Sequence, residues 1–425
     1  MLRKTDLHAS LADPVLDTMT FLNEITMRYP DAVSFAPGRP YDGFFDTEEI
    51  FAHIRRYLDH LAEAGRSPEQ IRTAMYQYGT TAGQIRELIA ESLRIDENID
   101  VPAASVVVTV GAQEGMLLVL RALIRGPEDV ALVASPCYVG VTGVARLLDI
   151  EMSAVEEPPG GFTGTVLEEA ILAEQARGRR PRVFYIVPDH SNPSGTSVGT
   201  QARAELLAVA GRHGVLILED SPYRLVSPVA PEPTLKSLDD AGVVVHLGSY
   251  SKTIFPGARV GYVVADQRVD GGGLLAEELS KIKSMVTVNT SSLSQAVVAG
   301  ALLSAGGRVS ELNAKPASYY GEAMQATLHE LDRQLPRQRR DRLGVRWNTP
   351  VGGFFLTLQV GFRADEAALT RSARDFGVLW TPMRYFHPAG GGDRALRLSI
   401  SYLTPEEIVE GVARLAAFIA AETAG

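Results

Sequence analysis

Within the stretch Gly248 to Tyr262 the chain collects two hydroxyls, one ammonium and one guanidinium: Ser249, Ser251, Lys252 and Arg259. Two hydroxyls and an arginine can hold a phosphate through charge-assisted hydrogen bonds. A lysine among them can attack a carbonyl and form a Schiff base if burial or a nearby cation lowers its pKa. The chain has only six lysines, Lys4, Lys236, Lys252, Lys281, Lys283 and Lys315, among 41 basic residues. A lysine beside two serines, where arginine is the default cation, points to amine chemistry, because arginine cannot lose its proton.

Other candidate groups sit at the ends of apolar runs. Val106 to Val110 is a β-rich run that ends in Gly111-Ala112-Gln113-Glu114-Gly115 and leads into an apolar helix, Met116 to Ile124. Free N–H groups and the helix dipole make such a turn a natural anion site. Strands at Val130–Ala134, Val183–Val187 and Val215–Leu218 end in clusters that contain Tyr138, Asn192, and Asp220 with Tyr223. Ligands bind at the carboxyl ends of strands in open α/β sheets. Late in the chain, Arg397 interrupts the alternating run Arg394–Ser401, and a cation in a half-buried strand is costly unless an anion meets it.

The elements that must carry these groups alternate between strand and helix, which predicts an α/β fold with a mostly parallel sheet. Further helices are expected over Thr47–Ala64, Gln84–Leu93, Gln201–His213, Gly273–Met285 and Ser294–Ser304, with one long helix from Arg308 to Leu335 and a last one from Pro405 to Ala421. A strand opens at Gly352. The Arg-rich stretch around Arg337–Arg342 reads as a solvated face. Composition shifts near residue 310, so residues 46–309 are expected to form a large domain, and 1–45 with 310–425 a smaller α+β one.

A net charge of −10 and the lack of a basic patch argue against nucleic acid. No apolar run reaches the ~18–20 residues of a membrane helix. The beginning of the chain shows no apolar secretory core, and the lone Cys137 allows no internal disulfide, which together suggest a cytoplasmic protein. No metal-ligand spacing is evident among the eight histidines.

Taken as an ordered set, seven motifs resemble the fold-type I, pyridoxal 5′-phosphate (PLP) dependent aminotransferases of class I/II. They are Y-x-x-x-x-G at Tyr78, G-A-Q at Gly111, P-x-Y at Tyr138, N-P-x-G at Asn192, D-x-x-Y at Asp220, S-x-S-K-x-x-x-P-G-x-R-x-G from Ser249, and R-L-S at Arg397. The resemblance implies a large domain with a mostly parallel seven-stranded sheet, a smaller α+β domain, and amino-group exchange between an amino acid and a 2-oxo acid. It makes Lys252 the Schiff-base lysine and proton shuttle, and Asp220 the partner of the pyridine nitrogen. Asn192 and Tyr223 match the donors to the ring oxygen, and Tyr138 the stacking aromatic. Ala112, Gln113, Ser249, Ser251 and Arg259 match the phosphate cradle, and Tyr78 its contribution from the other subunit of a homodimer. Arg397, with Asn192, matches the carboxylate grip, and Gly38 and Arg39 the substrate side. Arg39 and Arg384 are candidates for a second substrate arginine, and Met383, where many relatives have glycine, is expected near the substrate side chain.

The run Ser34 to Tyr41 adds a resemblance to antibiotic-pathway transaminases that form arylglycines of the 3,5-dihydroxyphenylglycine kind, with enduracididine-forming transaminases similar. A general aromatic or 2-oxoglutarate aminotransferase stands as an alternative, as does a decarboxylation, cyclisation or oxidation on the same site. A ligand-sensing regulator half is disfavoured by the acidic charge and by the start of the aminotransferase-like pattern near residue 35.

Overall fold

The computed structural model describes residues 2–158 and 161–424. Met1 and Gly425, the ends of the expected smaller domain, lie outside them. Seven strands, β1 (Val106–Thr109), β2 (Asp129–Ser135), β3 (Met152–Glu156), β4 (Arg180–Ile186), β5 (Leu216–Asp220), β6 (Val244–Ser249) and β7 (Gly261–Val264), form one sheet in the order β1-β7-β6-β5-β4-β2-β3. β7 is antiparallel to both neighbours and every other pairing is parallel. The strands are nearly continuous apolar runs because helices cover both faces. On one face Gly111–Leu123 and Val139–Leu147 pack on Val107, Val133, Tyr185 and Val245. On the other, Gly164–Ala176 and Thr200–His213 pack on Leu132, Phe184 and Ile217.

A second sheet holds β8 (Arg346–Trp347), β9 (Phe355–Gln359), β10 (Thr381–Pro382) and β11 (Ala395–Ser399), antiparallel throughout, in the order β8-β9-β11-β10. The helices Ala314–Gln334 and Pro405–Ala424 pack together beside it. Val33–Ser34 pairs with Val378–Leu379, which carries the N-terminal segment to this sheet and lets Phe35 accept from Ser399 N at 2.7 Å through its carbonyl. The architecture is the α/β, fold-type I arrangement expected, a large sheet unit with a smaller α+β one.

Three differences bear on the site. The helix expected from Met116 begins at Gly111, so the glycine-rich segment is its first turn and not a loop before it. The long helix breaks at Asn313, whose amide spans the break by donating to Val309 O and Thr253 O, and Pro316 falls in the first turn of the second piece, where a missing N–H costs nothing. A helix over Pro14–Arg28 has no counterpart in the sequence reading. Asp13 caps it by accepting from Val15 N at 2.9 Å, and Pro14 stands at its first position. Helices Pro68–Tyr76, Val139–Leu147, Gly164–Ala176 and Glu366–Phe376, and strand β3, were likewise not expected.

Candidate active site

The carboxyl ends of β2, β4, β5 and β6 and the N-terminus of helix Gly111–Leu123 converge on one cavity of about 420 Å³. Its wall brings together residues far apart in sequence: Gly38, Arg39, Ala112, Gln113, Tyr138, Asn192, Asp220, Tyr223, Ser249, Ser251, Lys252, Arg259 and Arg397. Tyr78 is the exception. It is 84% exposed and does not line the cavity of its own chain.

One end of the cavity is built for an anion. Gly111 has φ +73°, and a Cβ there would lie 2.5 Å from Arg259 Nη2, so only glycine lets the guanidinium reach the helix N-terminus. Arg259 itself takes the left-handed conformation, φ 51°, and its Nη1 donates to Ser251 Oγ at 3.1 Å. Ser249 Oγ accepts from Ser251 N at 3.3 Å, which fixes the two hydroxyls side by side. The unpaired N–H groups of the first helical turn complete the arrangement.

Lys252 follows directly. Its Nζ donates to the Gly38 carbonyl at 2.7 Å. Burial, then the charges of Arg259 and Arg397, bring its pKa down to about 8. Asp220 is buried at the floor, and its Oδ2 accepts from Tyr185 Oη at 2.7 Å. Its Oδ1 has no partner among the described residues. Burial pushes this carboxyl up to about 6, against the lowering effect of the Tyr185 hydrogen bond. A buried carboxylate oxygen left bare is a standing cost unless a cationic or N–H group arrives to meet it. Asn192 Nδ2 donates to Tyr223 Oη at 3.3 Å, and Tyr138 stands on the wall with its phenol pushed up to about 12 by burial.

Arg397 is the second group with unmet valence. It projects from β11, 3% exposed, and no carboxylate lies within ion-pair distance among the described residues. Its Nη1 donates to Asn192 Oδ1 at 2.6 Å, its Nη2 to Ala36 O at 2.6 Å and to Thr381 Oγ1 at 3.2 Å, while Nε has no partner among the described residues. The guanidinium lies 4.5 Å from the Phe355 ring centroid and 4.9 Å from that of Phe386. Burial lowers its pKa to about 10, so it stays charged at neutral pH. A rigid, charged, planar fork without an anion is a carboxylate seat.

The substrate side departs from expectation at two positions. Arg384 does not reach this cavity. Its Nη2 donates to both oxygens of Glu366, at 2.5 and 2.7 Å, and it borders a separate cleft. Met383 is buried against Val139 and Phe386 and is not part of the cavity wall, because the short helical turn Met383–Phe386 points Phe386 inward instead. Arg39 is on the rim, with its guanidinium 3.8 Å from the Tyr402 ring centroid. Cys137 packs as a small buried residue, its thiol pushed up to about 12 by burial. Sequence reading missed Thr26, Met27, Met116, Val139 and Phe386 on the wall. For Thr26 and Met27 the Asp13-Pro14 helix start was the available signal. Phe386 carried none, because its neighbours are set by the fold.

The residues present fit PLP. The anion seat matches its phosphate, the bare Asp220 oxygen a pyridine nitrogen, the Asn192–Tyr223 pair a ring oxygen, and Lys252 an aldehyde carbon. Comparison with known proteins agrees. The family model "Aminotransferase class I and II" matches residues 53–415. The (S)-3,5-dihydroxyphenylglycine transaminase of Amycolatopsis orientalis is 49% identical over 416 residues, 98% of this chain and 94% of that protein. The 2-aminoadipate transaminase of Thermus thermophilus is 32% identical over 94% of this chain and 92% of its own length. Among solved structures, the alpha-aminoadipate aminotransferase of Thermus thermophilus, complexed with N-(5'-phosphopyridoxyl)-L-leucine, superposes with a TM-score of 0.81 at 28% identity and full coverage of both chains. The kynurenine aminotransferase of Pyrococcus horikoshii gives 0.81 at 25% identity, over 99% of this chain and 97% of that one. With a catalytic-type lysine, a bare carboxylate and two anion seats in one cavity, and a family match across most of its length, the chain belongs to the class I and II aminotransferases.

Proposed function

We propose that this aminotransferase makes or consumes an arylglycine of the 3,5-dihydroxyphenylglycine kind, for a peptide antibiotic, with a 2-oxo acid as its counterpart. The 49% identity to a 3,5-dihydroxyphenylglycine transaminase across 98% of the chain carries the substrate reading. The reaction itself, transfer of an amino group between an amino acid and a 2-oxo acid with PLP as cofactor, is the family's. When bound, PLP supplies an electron sink that lowers the cost of negative charge at the substrate Cα.

The chain's own residues would do the rest. Arg259, Ser249, Ser251 and the first N–H groups of the Gly111 helix hold the phosphate. Asp220, whose Oδ1 has no partner among the described residues, would meet the pyridine nitrogen and favour its protonated form. Asn192 and Tyr223 donate to the ring oxygen, and Tyr138 covers the ring face. Arg397 takes the α-carboxylate as a fork, with Asn192 orienting it. Lys252, with its pKa brought down to about 8, would take the proton from substrate Cα and pass it to the cofactor carbon that had carried the aldehyde. Met116, Val139 and Phe386 exclude water and offer an apolar wall to an aromatic side chain, with Gly38 and Arg39 at its mouth.

We also infer a cytoplasmic homodimer with shared sites. Tyr76, Tyr78 and Met285 are 83–85% exposed, with Phe51 and Leu293 over half exposed, and the helices that carry Phe51, Tyr76 and Leu293 pack on one another. Exposed apolar groups of this kind suit a partner surface, and Tyr78 would then enter the partner's phosphate seat. The single cysteine, buried and unpaired, suits a reducing compartment. Among the described residues no helix is long and apolar enough to cross a membrane. We further read 46–309 as the large domain and 1–45 with 310–425 as the small one. The packing of Thr47–Glu63 on Ser292–Ser304, and the pairing of Val33–Ser34 with Val378–Leu379, support that division.

The test is a panel of amino donors, 3,5-dihydroxyphenylglycine among them, against a panel of 2-oxo acids, with products identified by mass spectrometry. Arylglycines should turn over faster than aspartate or alanine. Turnover of those ordinary amino acids without any arylglycine reaction would overturn the substrate reading.

A further inference from the structure

A buried ion pair lies beneath the helix N-terminus that faces the cavity. Lys283 is fully buried, and its Nζ donates to Glu114 Oε2 at 2.8 Å and to Thr287 Oγ1 at 2.9 Å. Thr287 Oγ1 donates in turn to Glu114 Oε1 at 2.6 Å. Val110 N, at the start of the same helix, donates to Glu114 Oε2 at 2.6 Å. One carboxylate therefore clamps the turn from Val110 to Glu114, whose Ala112 and Gln113 line the cavity.

The charge needs a reason. Burying an ion pair costs desolvation that a neutral pair avoids, and a glutamine could accept from Val110 N equally well. A carboxylate in the first turn of a helix also uses the positive end of the dipole that a phosphate seat depends on, and repels a second anion. Lys283 supplies the missing positive charge from helix Leu275–Val286. We propose that Lys283 is a positioning residue for the cofactor phosphate: it cancels the charge of Glu114, so that the carboxylate clamps the turn without weakening the anion seat. The inference rests on the reading of that turn as the phosphate seat.

The experiment titrates full-length protein, stripped of cofactor, with PLP and with pyridoxal, which lacks the phosphate. Lys283→Met should weaken PLP roughly tenfold, the scale of one charge at a helix terminus, and leave pyridoxal unchanged. The double variant Glu114→Gln/Lys283→Met, with neither charge, should regain wild-type PLP affinity. Equal losses for PLP and pyridoxal, or a double variant that stays weak for PLP, would make Lys283 a packing residue and overturn the proposal. Arg259→Gln reports on the seat separately. If Arg259→Gln removes the preference for PLP over pyridoxal and Lys283→Met does not, only the present inference fails. If neither changes it, the phosphate sits elsewhere and the reading beneath it fails.

Discussion

Replacing Arg397 by lysine keeps the positive charge and removes the fork. The side chain now spends two donors on neutral acceptors at 2.6 Å, Asn192 Oδ1 and Ala36 O, and a substrate carboxylate would take over part of that set. Each hydrogen bond to a charged group is worth roughly 1.5–3 kcal/mol. An ammonium can offer one such contact from a single point, so one bond of the pair is lost. The guanidinium's cation–π contacts with Phe355 and Phe386, at 4.5 and 4.9 Å from the ring centroids, go with it. Truncating one partner of a buried charge contact costs 2–5 kcal/mol in comparable settings, so the expected loss is roughly 2–4 kcal/mol, about 30- to 1000-fold in kcat/KM. The assay is steady-state kinetics with amino donor and 2-oxo acid varied in turn, both of which carry the α-carboxylate. Both should suffer alike. A loss confined to one substrate would mean that Arg397 reads a side chain and that the carboxylate anchor lies elsewhere.

Other outcomes follow from the same geometry. Borohydride reduction of the yellow holoprotein should leave the cofactor's mass on the Lys252 peptide, and Lys252→Ala should lose turnover by several orders of magnitude. Label on Lys281 or Lys283 would displace Lys252 from its role. With a pKa near 8, the Lys252 amine should take up PLP with a rate that rises to half its maximum near pH 8; a midpoint near 10.5 would show an unperturbed lysine. In cofactor-free protein Asp220 titrates near 6 against an ordinary value of 3.8, so the folded state holds the extra proton between these values. The stability this contributes is full below pH 4 and is lost as pH rises through 6, roughly 3 kcal/mol at most, and Asp220→Asn should flatten that part of the Tm profile. Mixing Tyr78→Phe with Lys252→Ala protein should restore some sites with both residues intact; an active monomer without such complementation would end the shared-site reading.

The sequence by itself determined the chemistry and most of the strand–helix alternation of the large sheet, though not strand β3 or the order in which the strands lie side by side. Apolar runs ending in polar clusters are readable because parallel strands buried on both faces need side chains of one kind along their length, and their carboxyl ends do not. The ordered set from Gly111 to Arg259 therefore announced a phosphate seat and an amine nucleophile before any coordinates. Tertiary structure alone decided what those groups meet. Asp220 has one oxygen claimed by Tyr185 and one free, and this depends on the neighbouring strand β4. Gly38 and Ala36 reach Lys252 and Arg397 only because Val33–Ser34 pairs with Val378–Leu379 across more than 340 residues of chain. Arg384 and Phe386 lie two positions apart, yet one faces Glu366 in a separate cleft and the other the cavity. Periodicity carries no signal for such choices, because a short turn sets side-chain direction through its packing partners. The same holds for the Lys283–Glu114 pair: its members are 169 residues apart, and only the burial of both beneath one helix N-terminus makes either of them more than an ordinary surface charge.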